Sequence, residues 1–139
     1  MLVFVLILNG DDLKLPEISP EIHDVSDLKG LSPRQFIDVL KARGCPEYTF
    51  DAKLSGWITK KDVRDLLPLV DSKEPCSSVA LSISSFYSVQ PSTVGDQALY
   101  LLEGLKKGNY PDQLNLNGPF GSEKVELIKW AKDQLRADH

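Results

Sequence analysis

Between Asp51 and Asp62 the chain carries its most concrete chemical pattern. Asp51, Ser55, Thr59 and Asp62 stand at positions one, five, nine and twelve of one stretch, with Gly56 at position six. Oxygens at that spacing could converge on a hard cation such as calcium, and a glycine at six makes the sharp turn that convergence needs. Lys53, however, puts an ammonium at position three, where a further oxygen should stand. Asp62 is also shorter than the glutamate that normally grips calcium through both carboxylate oxygens. Lys60 and Lys61 add repulsion, and Gly44-Cys45-Pro46 breaks the chain where an entering helix would lie. A simpler assignment uses the same residues: Gly56 turns the chain, and Thr59 with Asp62 caps the next helix.

The stretch resembles a degenerate EF-hand loop, with Asp51, Ser55 and Asp62 as its remaining ligands. Given Lys53 and Asp62, the expectation is that no metal binds. Nucleophilic chemistry has thinner support. The two cysteines, Cys45 and Cys76, lack the spacing of a zinc or redox motif, and two sulfurs alone cannot close a zinc site. Two separate buried thiols are expected, a Cys45–Cys76 disulfide being the alternative in an exported protein. Of the two histidines, only His23 is internal, and it lies in a segment read as a linker. No Gly-x-Ser-x-Gly, phosphate-binding loop or His-Glu-x-x-His occurs, so no catalytic residue and no cofactor are expected. Five aromatic residues complete the candidate set. Tyr48, Phe50 and Trp57 fall in a loop region, and Phe86 with Tyr87 ends an expected helix. Aromatics at such places either anchor a partner or seal the core beneath a loop.

The elements that must position these residues read as helices. Ser32-Pro33-Arg34-Gln35 is a capping box with proline at the first helical position, and Gly44 is the stop, which predicts a helix over 33–43. Thr59 and Asp62 open a second helix through Val63, Leu66, Leu67 and Val70, kinked or ended near Leu67 by Pro68. Residues 76–87 fit both a strand alternation and a helical face. With helices on both sides and no partner strand in view, they are read as helix. Thr93 and Asp96 cap the most regular helix, whose stripe is Val94, Ala98, Leu101, Leu102 and Leu105, ending at Gly108. Ser122 opens a last helix over about 123–136.

Asp65-Leu66-Leu67-Pro68-Leu69-Val70-Asp71, with Pro75 and an apolar helix after it, resembles the first half of a HEAT-type repeat. Val94-Gly95-Asp96-Gln97-Ala98-Leu99-Tyr100-Leu101-Leu102 resembles the second helix of such a unit. The similarity spans about residues 59–107, and no second Leu-Leu-Pro copy is present. It implies a compact helical domain with a protein-binding surface.

The chain has 139 residues, 42% of them hydrophobic and 26% charged, which suits one globular domain. Its net charge of −4 argues against nucleic acid as a partner. The apolar run Leu2–Leu8 is too short to span a bilayer. It reads as the tail of an export signal, as a buried strand, or as an apolar arm. The first reading points to an extracytoplasmic protein and the others to a cytoplasmic one. The expected organisation is an apolar segment and extended linker over 1–29, then a helical domain over 30–139. The expected fold is all-α, a HEAT-like or irregular bundle of about five helices. The expected function is a non-enzymatic protein-interaction module, such as an adaptor or an inhibitor of the immunity type. The alternatives are a small hydrolase whose site forms only in three dimensions, and a degenerate EF-hand-like binding domain.

Overall fold

The structure, a computed structural model, describes residues 22–43, 47–82, 92–112, 119 and 121–137. Among these, seven short strands form three sheets beside four α-helices and two 3-10 segments, so the chain is α+β and the all-α expectation is wrong. Strands β1 (Ile22–His23), β2 (Glu47–Phe50) and β5 (Ser78–Leu81) form a parallel sheet in the order β1-β2-β5. Ile22 pairs with Thr49, and Glu47 to Phe50 pair with Ser78 to Leu81. Helix α1 (Pro33–Arg43) makes the crossover between the first two strands. A parallel pair needs such a connection, because a hairpin cannot join strands running the same way.

This sheet explains why residues 76–82 are not the helix their neighbours suggest; the rest of that expected helix, 83–87, lies outside the described residues. Val79, Ala80 and Leu81 are all buried, so β5 is covered on both faces and shows an apolar run in place of a clean alternation. Its partner, Glu47-Tyr48-Thr49-Phe50, is rich in the aromatic and β-branched types that suit strands. The strand therefore does not stand alone. β4 (Pro75–Cys76) pairs antiparallel with β6 (Ser92–Thr93), so residues 75–81 hold two strands where a helix was expected. The same finding overturns the HEAT resemblance. Helix α2 (Lys60–Leu66) ends in a 3-10 turn at Leu67–Leu69 around Pro68, and the chain then enters β4 and β5 in place of the second helix that a repeat requires.

The capping signals hold. The Ser32 amide donates to Gln35 Oε1 at 2.8 Å, and the Gln35 amide donates to Ser32 Oγ at 3.1 Å. The Thr59 amide donates to the Asp62 carboxylate at 2.8 Å. Thr93 and Asp96 close the same reciprocal pair at 3.2 and 3.1 Å, opening α3 (Val94–Lys107). Helix α3 is the centre of the domain and packs against α1, α2 and α4 (Ser122–Ala137). Val94, Ala98, Leu101 and Leu102 of its stripe are buried, while Leu105 is half-buried. Gly95 lets the start of α3 reach the turn after α2, since a Cβ there would lie 2.7 Å from the carbonyl oxygens of both Val70 and Ser72. Val25 and Leu28, in a 3-10 segment over Val25–Gly30, enter the same core. No helix among the described residues is long and apolar enough to cross a membrane.

Candidate functional site

The C-terminal half of α3 carries different chemistry on its two sides. On one side it meets the segment after β2. Leu54–Ser55 forms β3, which pairs antiparallel with β7 (Asn109–Tyr110), Leu54 opposite Tyr110 and Ser55 opposite Asn109. Gly56, at φ 74°, supplies the left-handed turn that carries the chain from β3 to Trp57. The Trp57 indole N–H donates to the Leu31 carbonyl at 2.9 Å, which fixes the ring. Gly104 allows the helix to come close, because a Cβ there would lie 3.0 Å from the Asn109 carbonyl and 3.2 Å from Ile58 Cδ1. Between these walls is an open cleft of about 240 Å³. Leu54, Trp57, Ile58 and Leu105 give it an apolar lining, and glycine backbone at 56, 104 and 108 completes the wall.

The other side is polar. Tyr100, Glu103 and Lys107 follow one another at helical spacing, and Tyr110 and Asp112 meet them from beyond the helix end. The Asp112 side chain is only 2% exposed, with Lys107 Nζ 3.9 Å from its carboxylate. Burial, then the neighbouring Asp112 charge, raises the Glu103 carboxyl above the usual range. Burial and the Asp112 charge likewise push the Tyr110 hydroxyl well up, and burial, Asp96 and Glu103 push Tyr100 up to about 12. Both tyrosines therefore keep their protons at neutral pH. The Tyr110 hydroxyl is buried and has no hydrogen-bond partner among the described residues. This seam gathers one carboxyl, Glu103, and two phenols with perturbed proton affinity, a mark of functional sites that structural clusters also share.

Three of the five aromatic candidates come together. Tyr48, Phe50 and Trp57 meet Phe36, with ring centroids 5.3, 5.7 and 6.0 Å from it, and Tyr110 joins at 6.1 Å from Phe36. His23 stacks on Tyr48 at 3.9 Å. Phe50 is wholly enclosed, whereas Tyr48 and Trp57 are half-buried, and only Trp57 of these reaches the cleft. Phe86, Tyr87 and Cys45 lie outside the described residues. Cys76 is a buried thiol. The EF-hand-like positions serve separate structural tasks. Asp51 Oδ1 accepts from the Val25 amide at 2.9 Å, Ser55 belongs to β3, and Asp62 closes the cap of α2. Lys53 Nζ donates to the Asp112 carbonyl at 3.1 Å. No group of acids, histidines or cysteines placed to hold a metal occurs among the described residues.

Leu105 and Tyr110 are the site residues that sequence reading missed. Leu105 looks like the last member of a core stripe, and Tyr110 sits between Gly108 and Pro111 in what reads as loop. A faint signal exists: an aromatic between two chain-turning residues, just after a helix stop, marks a segment folded back on its helix. No family model matches the chain, and neither curated proteins nor solved structures yield a match.

Proposed function

We propose that the protein is a non-enzymatic interaction module that holds a protein partner in the cleft between β3, Trp57 and the end of α3. The observation that carries this reading is the half-exposed apolar lining of Leu105 and Trp57 around an open cavity of about 240 Å³. Interface anchors are apolar or aromatic groups seated in small pre-formed hollows, and Trp57 is already immobilised by its bond to Leu31. The polar seam behind the cleft argues against hydrolysis. The Tyr110 hydroxyl and the Asp112 side chain are about as buried as the core, so a substrate has no route to these polar groups in this conformation.

The test is comparative affinity capture from the source cell with three baits. Wild type and Val125→Asp should retain the same protein, because Val125 is 67% exposed on α4, outside the cleft lining. Leu105→Asp should lose it, since a carboxylate would enter the apolar cleft. Retention by Leu105→Asp with loss by Val125→Asp would move the site to α4 and overturn the proposal.

A further inference from the structure

We infer that Glu103 and Asp112 share one proton, and that this proton clamps residues 109–112 onto α3 as a pH-sensitive strap. The strap leaves the helix at Gly108, whose φ of 93° makes the reversal. Three attachments then hold it down. Asn109 and Tyr110 pair with Ser55 and Leu54, Lys53 Nζ donates to the Asp112 carbonyl at 3.1 Å, and the Asp112 side chain turns in against Glu103 and Lys107. The third attachment is the conditional one. The Asp112 side chain is 2% exposed, yet neither of its carboxylate oxygens has a hydrogen-bond partner among the described residues. Lys107 Nζ, at 3.9 Å, is too far away to donate. A buried carboxylate left without a donor is costly. Glu103, half-buried and one helical turn before Lys107, supplies that donor once it carries a proton. Two ionised carboxylates would repel each other at the same place. A metal cation is a poor substitute for the proton, since Lys53 and Lys107 already bring two ammoniums to Asp112.

The groups around Glu103 fix the sign of the response. Burial opposes its ionisation first, then Asp112 on the strap and Glu123 on α4, while Lys107 on its own helix offsets them only in part. Tyr100 and Tyr110 keep their protons and add no charge. The Glu103 carboxyl therefore holds its proton above the usual glutamate range. Because closing the strap tightens proton binding, losing the proton loosens the strap by the same factor. The clamp is complete below the ordinary glutamate range and is lost as pH rises through the raised value. Asn109 and Tyr110 also line the cleft, so an opened strap removes part of its wall.

Carboxyl-carbon NMR and amide hydrogen exchange of the labelled protein, from about pH 4 to about pH 8, test the inference. The Glu103 carboxyl should titrate above the usual glutamate range. Exchange at the Asn109 and Tyr110 amides, corrected for its intrinsic pH dependence, should speed up across the same midpoint. Asp112→Asn should lower that midpoint, and each unit lost should match about a tenfold fall in wild-type strap protection. Glu103→Gln should keep the strap closed throughout, because its side-chain amide donates to Asp112 at every pH. A Glu103 midpoint in the ordinary range would overturn the shared proton. Strap protection that stays constant across the midpoint would overturn the clamp. So would strap protection equal to that of the Leu101 amide at every pH, since the strap would then open only with the whole domain. A pH response that survives in Glu103→Gln would assign it to another group, such as His23, and contradict the inference.

Discussion

Replacing Gly95 with alanine should reverse the usual effect of that exchange in a helix. In an open helix the change favours folding by about 0.8–1 kcal/mol, because glycine loses more backbone freedom on ordering. Here the new methyl would sit 2.7 Å from two backbone carbonyl oxygens, those of Val70 and Ser72, where no side chain can rotate away. The start of α3 would have to withdraw from the turn. That strains the hydrogen bonds from the Gly95 amide to the Ser72 carbonyl at 3.1 Å and from the Val94 amide to the Glu74 carbonyl at 2.8 Å. Overpacking of this kind costs about 1–3 kcal/mol, and each weakened bond adds about 0.5–1.5 kcal/mol. After the helix-propensity gain, a net loss of about 1–5 kcal/mol remains, which lowers Tm by roughly 3–17 °C for a chain of this size. Urea and thermal melts measure it. Gly30→Ala is the control, since nothing lies within 4 Å of its Cβ position, and it should change stability by less than about 0.5 kcal/mol. A Gly95→Ala protein as stable as wild type, or more so, would refute the close approach of α3 to the turn.

Leu101→Ala should cost about 2–5 kcal/mol in urea melts, because Leu101 is fully enclosed on the central helix. Thr93→Ala should cost about 1 kcal/mol through loss of the cap to the Asp96 amide, whereas Lys106→Ala should cost a few tenths of a kcal/mol. The raised Glu103 carboxyl predicts a pH dependence. A group that binds its proton more tightly when folded contributes stability at acid pH, and that contribution is lost as pH rises through its folded value. Glu103→Gln should therefore match wild type in urea midpoint at acid pH and exceed it at neutral pH. A variant that is less stable at neutral pH would contradict the arrangement of Glu103 beside Asp112.

Local signals in the sequence translate directly into structure, and non-local ones do not. Ser32 with Gln35, Thr59 with Asp62, and Thr93 with Asp96 each satisfy helix-end amides within three residues of themselves, so their geometry needs no distant partner. Residues 78–81 are different. Their run of Val79, Ala80 and Leu81 suits any buried element, and only pairing with 47–50 makes them a strand. That partner is hard to see because Tyr48 and Phe50 read as loop aromatics, and Ile22–His23 because the prolines upstream suggest a linker. Pro68 and its leucines resemble a repeat helix up to the point where the chain turns into β4. At the cleft, Trp57 stands out by type, but Leu105 is indistinguishable from a core leucine until β3 and β7 are seen to stop short of covering it. The Glu103–Asp112 seam joins residues whose meeting depends on the turn at Gly108, which the helix stop alone does not orient.

The claim that the cleft is the binding surface is tested most directly by amide and indole NMR shifts of the labelled protein during titration with a short peptide centred on one leucine. The account predicts that the Trp57 indole N–H and the amides of Gly104, Gly108 and Asn109 shift together and saturate, while the Val125 amide stays in place. Shifts centred on Val125 and its neighbours in α4, with the Trp57 indole unmoved, would contradict it.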